Sequence, residues 1–201
     1  MPKSIKVLIE RITALEPCYG RRGGNAVRIY TRDGVIHEVE KSIKAALNSI
    51  AGYYSIDLKS ARKNYGFYLN SSLNVPLPFS PKLLLVAVKT RCPKYQNDGA
   101  TGYVNLHDVT GVEEIAGNRE KEARCLIHLK GGRSLPCYLA YETTKQRQVN
   151  ARLVEVRYLE LHRQEKNSSS PQAVLESMDK TSWSRLDNEI VMFIMKDGSK
   201  E

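Results

Sequence analysis

A chain of 201 residues with 41% apolar and 26% charged residues has the composition of an ordinary globular protein of one or two domains, long enough to bury a full core. No apolar run approaches the roughly 20 residues needed to cross a bilayer, and the opening MPKSIKVLIERIT has charges inside its apolar stretch and no cleavage-like site, so neither a membrane span nor export is expected and the cytoplasm is the expected location. The net charge of +9 is unevenly spread: residues 167–201 hold four basic and six acidic groups, which leaves 27 basic and 16 acidic groups, a net +11, on the rest of the chain.

Ser4 to Glu16 reads as one or two strands, because Ile5, Val7 and Ile9 alternate with Lys6, Leu8 and Glu10; a helix over Ser4 to Leu15 is the alternative, and Pro17 ends either. Ala26 to Thr31 and Val35 to Val39 form a hairpin across Arg32-Asp33-Gly34. Ser42 to Ile50 is helical, with Ile43, Ala46, Leu47 and Ile50 on one side, and Gly52 stops it. Ser60 to Gly66 reads as an exposed loop. Pro76, Pro78 and Pro81 break Asn74 to Pro81 into an extended connector, and Leu83 to Val88 has the continuous apolarity of a strand buried on both faces. Lys89 to Gly99 is then a long polar basic loop, a kind of segment that more often carries function than decoration.

From Gly99 to Arg152 the chain reads as a compact unit centred on a second hairpin. Cys125, Ile127 and Leu129 alternate with Arg124, Leu126 and His128, Lys130-Gly131-Gly132-Arg133 turns the chain, and Leu135, Cys137 and Leu139 share one face of the return strand. Gly117 to Glu122 is a polar turn before it, and Glu142 to Val154 a helix with a basic, amide-rich face after it. The scheme occurs once earlier: Ile12 to Glu16 lines up with Val109 to Glu113 at an offset of 97 (109 − 12), and Arg28 to Gly34 with Leu126 to Gly132 at 98 (126 − 28). An internal duplication and two unrelated hairpins are both open at this point. Arg152 to His162 suits strand or helix, Asn167 to Pro171 is a linker by composition, and Gln172 to Lys196 is one helix or two, packing back on the body or serving as a docking segment. The expected organisation is a β-rich body over 1–166, with an alternative division into 1–72 and 73–166, a linker at 167–171 and a helical tail at 172–201.

Three stretches are free of acid. Leu58 to Asn97 carries Lys59, Arg62, Lys63, Lys82, Lys89, Arg91 and Lys94 with Tyr65, Phe67, Tyr68 and Tyr95 between them; Pro17 to Arg32 carries Arg21, Arg22, Arg28 and Arg32; Thr143 to Arg152 carries Lys145, Arg147 and Arg152 with Gln146, Gln148 and Asn150. One such run is a solvated face, but three on one body attract a polyanion. The four cysteines lack C-x-x-C spacing or a nearby histidine pair, so neither metal nor cofactor is expected. The four histidines stand apart from any Ser, Cys or paired carboxylate at motif spacing, and no phosphate-loop, nucleophile-elbow or zinc-protease motif occurs, which argues against an enzyme.

The chain resembles the ComK family of bacterial competence transcription factors over residues 40–162. The resemblance lies in the order of Arg62-Lys63 with Gly66, the Val75-Pro76 connector, the Leu83 to Val88 strand, Thr90-Arg91-Cys92-Pro93, Gly102-Tyr103-Val104, the hairpin Gly132 to Pro136, and Tyr138 to Arg152 with Gln148. Ala26 to Ile50 and Tyr103 to Val109 are also similar to the LytTR DNA-binding domain of response regulators. Both resemblances imply a DNA-binding regulator, and that to the ComK family implies action as an oligomer on AT-rich promoter boxes; the expected body is α+β, mainly β, LytTR-like or ComK-like and built from the two similar hairpin units, with phosphate contacts from Lys and Arg and base or groove readers on its loops. On this reading the DNA-binding residues are Arg62, Lys63, Arg91, Lys94, Tyr95, Asn97, Arg147 and Gln148, then Arg21 and Arg22. The partners are double-stranded DNA, further copies of the chain, and a regulatory protein docked on the C-terminal tail. The alternative is a basic protein-interaction or RNA-binding module without sequence-specific DNA recognition.

Overall fold

Ile5, Leu8, Ile9 and Ile12 recur at the spacing of one helical face, and all four are buried while Val7 between them is exposed. That period wins over the two-residue alternation at the start of the chain, so the first element is a helical turn and not a strand. The structure, a computed structural model, describes residues 5–21, 23–95, 98–115 and 122–163. The protein is α+β and mainly β. Its described elements are α1 (Ile5–Leu8), a 3-10 turn (Ile9–Arg11), β1 (Ile12–Tyr19), β2 (Asn25–Thr31), β3 (Ile36–Val39), α2 (Ile43–Tyr53), α3 (Leu58–Tyr68), β4 (Leu77–Ser80), β5 (Leu83–Lys89), β6 (Thr101–Asn105), a second 3-10 turn (Leu106–Asp108), β7 (Val109–Glu114), β8 (Cys125–Leu129), β9 (Arg133–Cys137) and α4 (Tyr141–Arg163). The chain divides into two units, Met1–Tyr158 and Leu159–Glu201. The expected linker and helical tail lie outside the described residues, as does most of the expected turn at 117–122.

Six strands form one sheet in the order β3-β2-β1-β6-β5-β4, and β7-β8-β9 form a second. The β1–β6 ladder joins residues from both sides of position 72, so the larger sheet crosses the alternative division there. One face carries Leu15, Val27, Ile29, Leu77, Phe79 and Leu85 against α1 and α2. The other face is buried too: Ala14, Val86 and Val104 stand in one row, and Leu84 and Val88 flank it. Burial on both sides explains the uninterrupted apolarity of β5. Pro17 does not end β1. It pairs with Val27, while on the other side the β6 ladder covers only Ala14 and Leu15, so its missing N–H faces no partner strand.

The two hairpin units share their register throughout. Both begin with a 3-10 turn and run through a three-stranded antiparallel meander into a helix. Ile12 pairs with Thr31 and Ala14 with Tyr30 across a bulge at Thr13; Val109 pairs with Leu129 and Gly111 with His128 across a bulge at Thr110. In the second ladder Ile29 faces His37 and Ile127 faces Leu135, and the correspondence holds for each of the pairs on either side. Gly34 and Gly132 occupy equivalent turn positions at φ 76° and 72°. The two turns meet: a Cβ on Gly34 would stand 2.6 Å from the Gly131 carbonyl oxygen, and Arg133 Nε donates to the Gly34 carbonyl at 2.8 Å. Beside them Asp108, fully buried, accepts from Arg32 Nε at 2.9 Å and from Asn105 Nδ2 at 2.7 Å, with Lys130 Nζ at 3.4 Å.

Two helices end where a residue other than glycine takes the left-handed conformation. Gly52 lies inside α2; the stop is Ser55 at φ 55°, whose N–H reaches the Gly52 carbonyl while the Ile56 N–H reaches Ala51. Ser60 to Gly66, read as a loop, is the body of α3. Asp57 caps it by accepting from the Ser60 N–H at 2.7 Å, and Asn70 at φ 49° closes it, with Asn70 and Ser71 donating to the Phe67 and Gly66 carbonyls. The connector at 74–81 becomes the edge strand β4. Arg152 to His162 continues α4, whose buried Thr144, Ala151, Val154 and Tyr158 form one narrow seam.

Candidate nucleic-acid interface

The registers bring three segments to one end of the larger sheet. Leu15 faces Tyr103, Thr101 faces Lys89 and Leu85 faces Leu77, so the β1–β2 connection, the β5–β6 loop and the connector that leads from α3 into β4 all emerge on the same side. At about 4.8 Å per strand, β1 to β4 spans about 15 Å. Arg21 is exposed on the first segment, Lys94 and Tyr95 on the second, and α3 ends at the third. Glu40 stands on the same rim, its Cγ 3.7 Å from where a Gly20 Cβ would be.

The β5–β6 loop is tied down from within by Arg91. This side chain is only 8% exposed; Nε donates to the Gly99 carbonyl at 2.9 Å, Nη1 to the Cys18 carbonyl at 3.2 Å and Nη2 to Asn25 Oδ1 at 3.1 Å. The Tyr19 ring lies beneath two cations, Arg91 Cζ at 4.7 Å and Lys94 Nζ at 5.0 Å. Its hydroxyl donates to Asp98 Oδ2 at 2.5 Å and accepts from the Lys94 N–H at 2.8 Å, and Asn25 Nδ2 donates to Asp98 Oδ1 at 3.1 Å. These bonds from Tyr19, then Asn25, hold the Asp98 carboxyl below the usual aspartate range. Arg91 answers that negative charge inside the loop, while Lys94, lying over the Tyr19 ring, and Tyr95, 70% exposed, are open to solvent.

The expected contact residues therefore separate. Arg62 and Lys63 are exposed, on a helix where a loop was expected. Arg21, Lys94 and Tyr95 are exposed at the sheet end. Asn97 and Arg22 lie outside the described residues. Arg91 is a brace and not a projecting reader. Arg147 falls on the inner seam of α4, one turn after Thr144, where Nη1 donates to the Ala87 carbonyl of β5 at 2.7 Å and burial pushes its guanidinium pKa down; Gln148 beside it is half-buried. Sequence reasoning passed over Tyr19, Asn25 and Asp98, whose roles depend on loops far apart in the chain. Phe67, noted in the sequence among the aromatics of the acid-free stretch but not among the contact residues, shares a ridge of α3 with Lys63.

Two other constellations have chemical character. His128 is not isolated: Nδ1 lies 2.8 Å from Ser134 Oγ and Nε2 3.1 Å from Glu113 Oε2, a Ser-His-Glu row across β9, β8 and β7. It lies on the open face of the smaller sheet, and β8 is paired on both sides, so its backbone amides serve ladders and not an oxyanion. The row is a cross-strand polar ladder. Cys125 and Cys137 face each other across β8 and β9 and share the Thr144 hydroxyl at 3.4 and 3.5 Å. The hydrogen bond between the two thiols, with burial, raises the Cys125 pKa. Among the described residues no group of three or more His, Cys, Asp or Glu is placed to hold a metal ion, and no helix is long and apolar enough to cross a membrane. Comparison of the chain with protein-family models, with curated proteins and with solved structures finds no match.

Proposed function

We propose that the protein is a DNA-binding transcription regulator that grips duplex DNA with this end of the larger sheet. The observation that carries the reading is the convergence of Arg21, Lys94 and Tyr95 on a rim whose loop is braced internally by Arg91; Arg62 and Lys63, on the helix whose connector enters β4 at that end, are exposed as well. A braced basic rim presents charge to phosphates without having to order itself on binding. The order of features that resembles the ComK family supports the same reading and adds its expectations: AT-rich promoter sites, and action as an oligomer in the cytoplasm. The ladder at His128 and the seam position of Arg147 assign structural work to residues that would otherwise invite other roles.

The test is equilibrium binding of AT-rich and GC-rich duplexes and of single-stranded RNA across a range of salt. The expected result is preference for duplex DNA, with log K falling linearly as log salt rises. A flat salt response, or stronger binding to the single strand, would replace this reading with that of a protein-interaction or RNA-binding module.

A further inference from the structure

Phe67 is 91% exposed in the last turn of α3, although Tyr65 and Gly66 beside it are buried. Lys59, Lys63 and Phe67 follow at four-residue intervals, which places them along one ridge of the helix. Between Leu58 and Tyr68 the helix carries no acid, and the carboxylate of Asp57 before it is engaged as the N-cap. We propose that Phe67 is an apolar wedge that enters the duplex between stacked base pairs and kinks it, with Lys59 and Lys63 on the neighbouring phosphates. The proposal rests on the DNA reading above and adds the deformation of the DNA to it.

The mounting suits such a part. Asn70 and Ser71 close the end of α3 with backbone bonds to Phe67 and Gly66, and a Cβ on Gly66 would stand 2.6 Å from the Ser71 carbonyl and 3.3 Å from Val75 Cγ2. The side chain thus projects from a rigid helix end locked to the connector that enters β4. That connector also carries Leu73, 76% exposed. An aromatic at the tip of a cationic ridge fits a polyanion with an apolar interior; the cores of protein–protein interfaces are depleted in lysine. Wedges of this type unstack one base step, and the cost is recovered through the added contacts that a bent duplex makes.

The experiment uses the full chain and an AT-rich duplex of about 30 base pairs with a donor dye at one end and an acceptor at the other, since its TA steps unstack easily. Affinity and end-to-end distance are measured for the wild type, Phe67→Ala and Phe67→Leu, on the intact duplex and on one with a central mismatch. Sedimentation equilibrium of each protein accompanies them. The wild type should shorten the end-to-end distance. Phe67→Ala should bind about tenfold more weakly with an unchanged salt slope and leave the duplex nearly straight, Phe67→Leu should keep most of the bend, and the mismatch should restore much of the lost affinity because the step is already unstacked. Binding and bending by Phe67→Ala equal to the wild type would overturn the wedge and leave the DNA reading standing. A change in the mass of the free protein with no change in the bend would also overturn it and assign the face to contacts between copies. No salt-dependent binding of the wild type to any duplex would overturn both.

Discussion

Arg91 directs its guanidinium into the protein, and its partners are mostly main-chain carbonyls, those of Cys18 and Gly99. Charge patterning cannot see such partners, which is why a cation in a basic loop reads from sequence as a DNA contact. Arg91→Ala should lower stability by about 1–3 kcal/mol, because it strands the buried Cys18 carbonyl and breaks the bonds to the Gly99 carbonyl and Asn25. Denaturant titration checks this, and a loss within about 0.5 kcal/mol, the usual range for a surface substitution, would return Arg91 to the surface. Asp98 supports a pH prediction. Its folded-state pKa lies below that of an unfolded aspartate, about 3.9, so its stabilising bonds to Tyr19 and Asn25 are fully present above that value and are lost as the pH falls through the depressed one. The stability difference between the wild type and Asp98→Asn should therefore shrink on going from about pH 6 to about pH 3. A difference constant over that range would show that the carboxylate's charge does nothing for the loop.

At the scale of elements, the hairpins were legible because their turn glycines and two-residue alternation coincide, and β5 was legible because burial on both faces leaves a plain apolar run. The segment that became α3 was not. It buries only Tyr65 and Gly66, so its apolar period is thin, and Gly66 reads as a breaker although it is there to admit the Ser71 carbonyl. What defines this helix is its ends, Asp57 and Asn70. The stop of α2 was misplaced for a related reason: Ser55 adopts the conformation expected of glycine. Ser55→Gly should raise stability by about 0.5–1 kcal/mol, since an L-residue there pays a steric cost that glycine avoids. A thermal melt checks it, and a lowered midpoint would mean that the Ser55 side chain contributes more than its backbone costs.

At the scale of the molecule, the two hairpin units were visible in the sequence as short matches at two offsets, and the registers explain why the offset changes: from Glu114 to its partner Cys125 the chain is one residue longer than from Pro17 to its partner Val27, the equivalent pair of the first unit. How the units meet was not visible, because it depends on contact between turns far apart in the chain. Gly131→Ala should cost about 2–4 kcal/mol, for it combines φ 88° with a Cβ 2.7 Å from the Gly34 nitrogen; a melt unchanged from the wild type would contradict the packing of turn on turn. The sheet end itself was legible only as charge, and the pairing registers make it a place. Because Lys82 lies in the β4–β5 turn, at the opposite end of the same strands from Lys94, it is the natural control. The deciding measurement compares duplex-DNA affinity against salt for Lys94→Ala, Lys63→Ala and Lys82→Ala: the first two should weaken binding and each lower the salt slope by about one, while Lys82→Ala should match the wild type. Equal losses for all three, or a loss confined to Lys82→Ala, would contradict a grip on DNA by this end of the sheet.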